Sequence, residues 1–310
     1  MRIAHVVPPW YPVPPTAYGG IENLVADLAA ATRRRGHEVA VVAPGDSDEP
    51  GLLAALPRSR PLDMGLDTVS VLHAAQAEAA LRGWRPDVVH DHTVTAPLMA
   101  PGRSAPTVMT VHGAAGGDVA LWAGHAAAQG DLVAISRSQA DLAPQVRWTA
   151  VVPNGVDVHR YPAVEGRRSA DLVFLGRLGP DKGCAEAIAA ARAAGRRLLV
   201  AGRISRPEEV EYVERHVRPH LGADVVYLGE LGFEAKTQLL QQSAALIFPL
   251  QWDEPYGLVV AEAAACGTPV VTLARGAMPE LVVEGVTGFV CRAQEELVDP
   301  DVGLHVRPRL

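Results

Sequence analysis

Met1-Arg2-Ile3-Ala4-His5-Val6-Val7 opens the chain, a helical periodicity follows from Ile21, and Val39-Ala40-Val41-Val42-Ala43 comes after it. The two apolar runs are short and rich in β-branched residues, which predicts buried strands. Between them Ile21, Leu24, Val25 and Leu28 recur at i, i+3, i+4 and i+7, which predicts a helix with one buried stripe. Glu22 and Asp27 stand early and Arg33 to Arg35 late, the charge order that suits the helix dipole, and Gly36 follows as a C-terminal cap. Asp87-Val88-Val89-His90 and Thr107-Val108-Met109-Thr110-Val111 repeat the strand signal further on. Strands alternating with helices imply an α/β fold whose parallel sheet is covered on both faces.

Leu132-Val133-Ala134-Ile135 and Ala150-Val151-Val152 complete this first series, and Pro153-Asn154-Gly155 then leads into a polar, turn-rich stretch. A second series runs through Asp171-Leu172-Val173-Phe174-Leu175, Leu198-Leu199-Val200-Ala201, Val225-Val226-Tyr227-Leu228, Ala245-Leu246-Ile247-Phe248 and Pro269-Val270-Val271-Thr272. Two parallel-sheet domains are therefore expected, 1–157 and 170–293, joined by a linker over 158–169 and followed by an irregular tail over 294–310. The length of 310 residues is ample for two cores.

Composition narrows the function classes. With 48% hydrophobic and 20% charged residues the chain is not broadly disordered. Its 28 basic residues against 35 acidic ones, net charge −7, offer no chain-wide positive field for a nucleic-acid backbone. Cys184, Cys266 and Cys291 are few and irregularly spaced, which fits neither a disulfide framework nor a zinc cluster and points to a reducing, cytoplasmic setting. No apolar run approaches the roughly 18 residues of a membrane span, so no transmembrane segment is expected; peripheral membrane contact through an amphipathic face stays open.

The richest segment chemically is Asp253-Glu254-Pro255-Tyr256-Gly257-Leu258-Val259-Val260-Ala261-Glu262, directly after the strand ending near Phe248. Gly257 opens a helix in which Glu262 is the sole acid, and a buried charge there needs a partner. The amides of Tyr256, Gly257 and Leu258 at its start can meet an anionic or hydroxyl-rich ligand, with Glu254 just ahead of them. The alternative is that Glu254 is a solvated loop acid and Glu262 a dipole-stabilised surface residue. Gly176-Arg177-Leu178-Gly179-Pro180-Asp181-Lys182-Gly183 follows the first strand of the second series, where open α/β sheets bind ligands. Its Arg177 and Lys182 can hold a diphosphate, though the Walker spacing is absent and a solvated turn is the plainer reading.

In the first domain, Tyr18-Gly19-Gly20-Ile21-Glu22 lets backbone amides approach a phosphate closely, or is simply a tight turn and helix start. His112 ends another strand, where it can bond a ligand hydroxyl or serve structure alone. His90-Asp91-His92 hints at a metal, but a third ligand of suitable local spacing is missing and no metal is expected. A Ser/His/Asp hydrolase is not indicated, since the Gly-x-Ser-x-Gly elbow is absent.

Together these motifs resemble the GT-B nucleotide-sugar glycosyltransferases, specifically the retaining family 4 group. The matching series is Gly19-Gly20-Ile21-Glu22, Arg35-Gly36-His37-Glu38-Val39, Thr110-Val111-His112-Gly113, Val152-Pro153-Asn154-Gly155-Val156-Asp157, Gly176-Arg177 with Lys182-Gly183, and Glu254-x7-Glu262. Ala277-Met278-Pro279-Glu280-Leu281-Val282 and Gly285 to Gly288 continue it. Each is short and common, but the order over the first 290 or so residues is specific.

The resemblance implies two Rossmann-like domains facing across a cleft, with a UDP- or GDP-type sugar donor on the second and a sugar, lipid or small-molecule acceptor on the first. It implies that Arg177 and Lys182 hold the diphosphate, Glu262 the ribose, and Glu254 the transferred sugar. The amides of Tyr256, Gly257 and Leu258 would meet sugar or phosphate, Gly19 and Gly20 would approach the phosphates, and His112 would lie near the reacting carbon. It further implies retention of anomeric configuration and no divalent metal or other cofactor. The sequence departs from the family pattern after Cys291, where a shortened C-terminus is expected to lack the helices that cross back to the first domain. Two other readings compete: a GT-B epimerase or hydrolase acting on the nucleotide sugar itself, and a truncated or degenerate member that binds donor without efficient transfer.

Overall fold

A computed structural model describes residues 1–298 apart from 165 and 167. It divides into two compact units, Met1–Gly155 and Val156–Leu310. The first holds a seven-stranded sheet made of β1 (Arg2–Val6), β2 (Glu38–Pro44), β3 (Leu52–Leu56), β4 (Val88–Asp91), β5 (Thr107–Thr110), β6 (Asp131–Ala134) and β7 (Ala150–Val151). Its helices are α1 (Gly20–Arg34), α2 (Asp67–Trp84), α3 (Ala96–Met99), α4 (Asp118–Ala126) and α5 (Arg137–Asp141). The strands lie in the order β3-β2-β1-β4-β5-β6-β7, and every pairing is parallel.

The second unit repeats the plan with six parallel strands. They are β8 (Leu172–Leu175), β9 (Leu198–Ala201), β10 (Val225–Tyr227), β11 (Ala245–Phe248), β12 (Val270–Leu273) and β13 (Gly288–Cys291). Its helices are α6 (Cys184–Ala193), α7 (Pro207–His216), α8 (Phe233–Gln242), α9 (Leu258–Ala265) and α10 (Met278–Leu281). The order β10-β9-β8-β11-β12-β13 reverses direction between β8 and β11, as the first sheet does between β1 and β4. At such a reversal neighbouring crossovers leave on opposite faces of the sheet, and the loops at the strands' C-terminal ends part to leave a crevice. Among the described residues no helix is long and apolar enough to cross a membrane.

The cores follow from strand alternation. Along β2, Val39, Val41 and Ala43 pack in a cluster with Val25 and Ala29 of α1, while Val42 packs with Ala77 and Leu81 of α2 on the other face. Each fully buried valine contributes about 1.5–3 kcal/mol, which is why so polar a helix as α1 is held. The stripe of α1 differs from its expected position. Its buried residues are Glu22, Val25, Ala26 and Ala29, whereas Leu24 and Leu28 keep partial exposure. The alanines let the helix lie close to the sheet, and that rotation carries Glu22 into the interior.

The stretch 158–169, expected as a linker, packs with the second unit where it is described: Tyr161 is buried in that unit's core, and Arg168 donates to the Cys266 carbonyl at 2.7 Å. Of the expected irregular tail, Gln294–Val298 forms a 3-10 helix that buries Leu297. Residues 299–310, with Asp299-Pro300-Asp301 and Pro308, lie outside the described residues.

Two close backbone approaches fix the second unit's loops. A Cβ on Gly202 would stand 1.7 Å from the Gly176 carbonyl oxygen, and one on Gly183, which sits at φ +78°, would stand 2.0 Å from that of Pro249. Gly202→Ala must push two loops apart, and a loss of about 2 kcal/mol or more is expected in denaturant unfolding. Wild-type stability in that variant would contradict the close approach.

Candidate functional site

The expected donor residues of the second unit gather at the C-terminal ends of β8 and β11, the point where the strand order reverses. Gly183 lets the loop after β8 lie against Pro249, and the Gln251 amide donates to the Asp181 carbonyl at 2.9 Å. Both contacts bring Lys182 to the loop after β11, where its ammonium pairs with the Glu254 carboxylate. The same carboxylate oxygen accepts the Trp252 indole N–H at 3.0 Å, and the ammonium lies 4.7 Å from the centre of that ring. Glu254 is itself held by its backbone, for its carbonyl accepts the Ala277 amide at 2.9 Å. Gly276, at φ +56°, leaves room that a Cβ would fill 2.2 Å from the same oxygen. The reading of Glu254 as a solvated loop acid does not hold.

Arg177 lies in the same loop as Lys182. Its guanidinium bonds Glu209 at 2.5 Å and Asp181 at 2.6 Å. Burial pushes the Glu209 carboxyl up, but hydrogen bonds from the Ser205 amide and Arg177 outweigh it and leave the carboxyl below its usual range. Two cations thus stand ready, each oriented by carboxylates. Gly257, at φ +86°, caps α9, so the chain turns sharply from Glu254 and Tyr256 into Leu258 and directs the first amides of the helix outward. The Tyr256 side chain is buried, and burial raises its hydroxyl pKa.

Glu262 is buried one turn into α9, and the partner its burial required comes from two elements. Its Oε1 accepts from Lys236 of α8 at 2.5 Å and from the Tyr161 hydroxyl at 2.9 Å. It is therefore not a surface residue. Lys236 and Tyr161 were not legible in the sequence, being 26 and 101 residues away. Glu209 is likewise distant, whereas Trp252, one residue before the Asp253-Glu254 pair, is a local signal.

In the first unit, Gly19 precedes α1 at φ +151°, where a Cβ would meet Pro15 at 2.7 Å, and Gly20 is the first helical residue. Glu22 points back toward Gly19; burial lifts its carboxyl pKa to about 8. His112, just past β5, lines a pocket at the ends of β1, β4 and β5 together with His92. Their rings bond through His112 Nε2 and His92 Nδ1 at 3.0 Å. Burial, with a smaller push from His90, lowers His112 to about 3, so the imidazole is neutral at ordinary pH.

The pair His90 and His92 gains a third member that local spacing concealed. Register sets His5 of β1 opposite His90, and nitrogens of His5, His90 and His92 lie within 4.8 Å of one another. Burial holds all three neutral. Asp91 commits its carboxylate elsewhere, to Arg103 at 2.7 Å and to the Thr93 amide and hydroxyl.

Comparison with known proteins gives two family models that between them span most of the chain: Glycosyltransferase Family 4 over residues 18–160 and Glycosyl transferases group 1 over residues 160–299. Glycogen synthase of Mycobacterium tuberculosis (strain H37Rv) is 29% identical, with 91% of this chain and 81% of the relative covered. The crystal structure of AviGT4, a glycosyltransferase involved in avilamycin A biosynthesis, is also 29% identical, with a TM-score of 0.69 over 93% of this chain and 85% of that one. Anabaena HepE, solved in complex with UDP-glucose, shares the fold at a TM-score of 0.71 and 19% identity, covering 96% of this chain and 88% of its own.

Two outcomes are expected. Lys236→Ala strands the buried Glu262 carboxylate on Tyr161 alone and should cost about 2 kcal/mol in denaturant unfolding, below the roughly 3–5 kcal/mol of a fully buried pair because the lysine keeps some exposure; no loss would mean the pair is dispensable. Glu22 takes up a proton on folding between its ordinary 4.5 and about 8. Its contribution is therefore intact below about 4.5 and is lost as pH rises toward 8. The thermal midpoint of Glu22→Gln should gain on wild type between pH 5.5 and 8.5, and a constant difference across that range would refute the raised pKa.

Proposed function

The chain belongs to the family 4, group 1 glycosyltransferases, and from that premise we propose that it is a retaining, metal-independent transferase moving a sugar from a UDP- or GDP-type donor to an acceptor hydroxyl. The observation that carries this reading is the Lys182–Glu254 ion pair, set beside Arg177 and the N-terminus of α9 where the second sheet reverses its order. Diphosphate oxygens draw Lys182 and Arg177 away from their carboxylates, because one diphosphate engages both cations at once through several charge-assisted hydrogen bonds. Glu254, freed from the ammonium, accepts from hydroxyls of the transferred sugar. Glu262 accepts from the ribose, next to Lys236 and Tyr161.

In the reaction the acceptor oxygen bonds to the anomeric carbon while the bond from that carbon to the diphosphate breaks. The electron pair leaves with the β-phosphate, and the acceptor proton passes to the departing phosphate oxygen on the same face, which retains the configuration. Arg177, Lys182 and the α9 amides stabilise the charge that grows on the leaving group. Two side-chain cations and a helix N-terminus supply the positive charge that a divalent metal supplies elsewhere. Neutral His112 offers a hydrogen bond to a sugar hydroxyl, and Gly19 and Gly20 give the phosphates close backbone approach. HepE's UDP-glucose makes UDP the first ligand to try. The three buried free thiols support a reducing, cytoplasmic setting.

Calorimetric titration with UDP and GDP, with and without EDTA, tests the reading. One nucleotide should bind saturably and indifferently to EDTA, and Lys182→Ala should weaken it roughly tenfold to a hundredfold, the loss of about 1.5–3 kcal/mol in a charge-assisted contact. Binding that collapses in EDTA, or that ignores Lys182→Ala, counts against the assignment. Free sugar or an epimer formed from the bound donor with no acceptor present favours the hydrolase or epimerase reading instead.

A further inference from the structure

A cavity of the first unit, about 420 Å³, opens at the C-terminal ends of β1, β4 and β5, where that sheet reverses its order. Its size is that of a small-molecule site. Its walls are carbon: Pro8, Pro9 and Trp10 from the loop after β1, Val94 after β4, and Val119 and Trp122 from α4. Trp122 has spent its one polar atom, donating its indole N–H to the Val94 carbonyl at 2.8 Å. The pocket's polar groups are the bonded His92–His112 pair with Thr93, Thr95, Thr110, Ser70 and His73; the Thr93 and Thr110 hydroxyls are committed to Asp91 and His90, and His73 Nε2 and His92 Nε2 are left to a ligand. Both imidazoles of the bonded pair are held neutral by burial. The lining includes neither lysine nor arginine among the described residues, and its one acid, Asp118, lies exposed at the rim. The apolar character continues outside, where Val94, Leu98 and Leu121 are 65% to 75% exposed.

The few polar groups can meet one or two hydroxyls, but a glucan chain would leave those laid against the carbon walls desolvated without partners, at about 1–3 kcal/mol each. An anionic sugar would find no cation. We propose that this pocket takes the apolar body of an uncharged acceptor, an alkyl or aryl group that bears or carries the reacting hydroxyl. This rests on the transferase reading given above: the acceptor oxygen forms the new bond to the anomeric carbon, the bond to the diphosphate breaks, and the proton leaves with the phosphate. The pocket contributes by removing apolar surface from water and by turning the hydroxyl toward the His92–His112 end.

The experiment uses the full chain and keeps acceptor and donor apart. Octyl β-D-glucoside, below its micellar concentration, and 2-naphthyl β-D-glucoside are titrated against methyl β-D-glucoside and maltotriose without nucleotide, and UDP is titrated separately. At least one of the apolar glucosides should bind tenfold or more tightly than methyl glucoside, and Val94→Asp and Val119→Asp, at exposed positions that tolerate a charge, should each erase that advantage while UDP affinity and the thermal midpoint hold. Methyl glucoside or maltotriose binding as well as both apolar glucosides overturns the proposal, and so does an apolar preference untouched by both variants. UDP binding lost while the apolar preference persists would sink the transferase reading and leave the pocket's chemistry standing. Transfer to octyl glucoside in phosphatidylcholine vesicles compared with free solution separates a membrane-borne acceptor from a diffusible one.

Discussion

Everything in this molecule hangs on a wholly parallel sheet used twice. A parallel strand cannot turn straight back on itself, so each connection must cross a face of the sheet, and all strand C-terminal ends emerge along one edge. Helices on both faces then require strands buried on both sides, as β2, β8 and β11 are. Where the strand order reverses, the loops on that edge diverge. In the second unit this is where Arg177, Lys182 and Glu254 meet, and in the first it is where His92 and His112 line the pocket.

Close backbone contact turns that general edge into a particular site. Gly183 against Pro249, Gly202 against Gly176, and Gly276 against Glu254 are three points at which a side chain would occupy the space of a carbonyl. They seat the loops after β8, β9, β11 and β12 against one another, and only then can Lys182 reach a carboxylate 72 residues away. The residues that bear charge are thus placed by residues that bear nothing.

Much of this was legible in the sequence because the signals are local. Alternating apolar runs and helical periods gave the two α/β sheets, and the Arg177–Lys182 loop and the Glu254–Glu262 segment lie where those runs end. Strands β3 and β13 are not legible in the same way, for physical reasons. Leu52–Leu56 is leucine and alanine without a β-branched residue, equally suited to a helix, and Gly288–Cys291 begins with a glycine whose Cβ would strike the Val270 carbonyl. The rotation of α1 was hidden because leucine at 24 and 28 outweighs alanine at 26 and 29 in any reading of hydrophobicity, whereas closeness to the sheet favours the smaller side chains. Lys236, Tyr161, Glu209 and His5 are partners supplied by topology, and no spacing along the chain announces them.

The ion pairs around Arg177 and Lys182 carry one more consequence. Two cations are met by three carboxylates, Asp181, Glu209 and Glu254, so the ligand-free loop presents little net positive potential to the surrounding water. Charges balanced at such short range give little long-range steering of an anion. Selection comes after contact, when an incoming group must compete with carboxylates already in place. A small monoanion brings no more charge than the partner it displaces, whereas a diphosphate can engage both cations at once. An anion able to engage both cations at once is thereby favoured at this loop over a small monoanion, with no gate required.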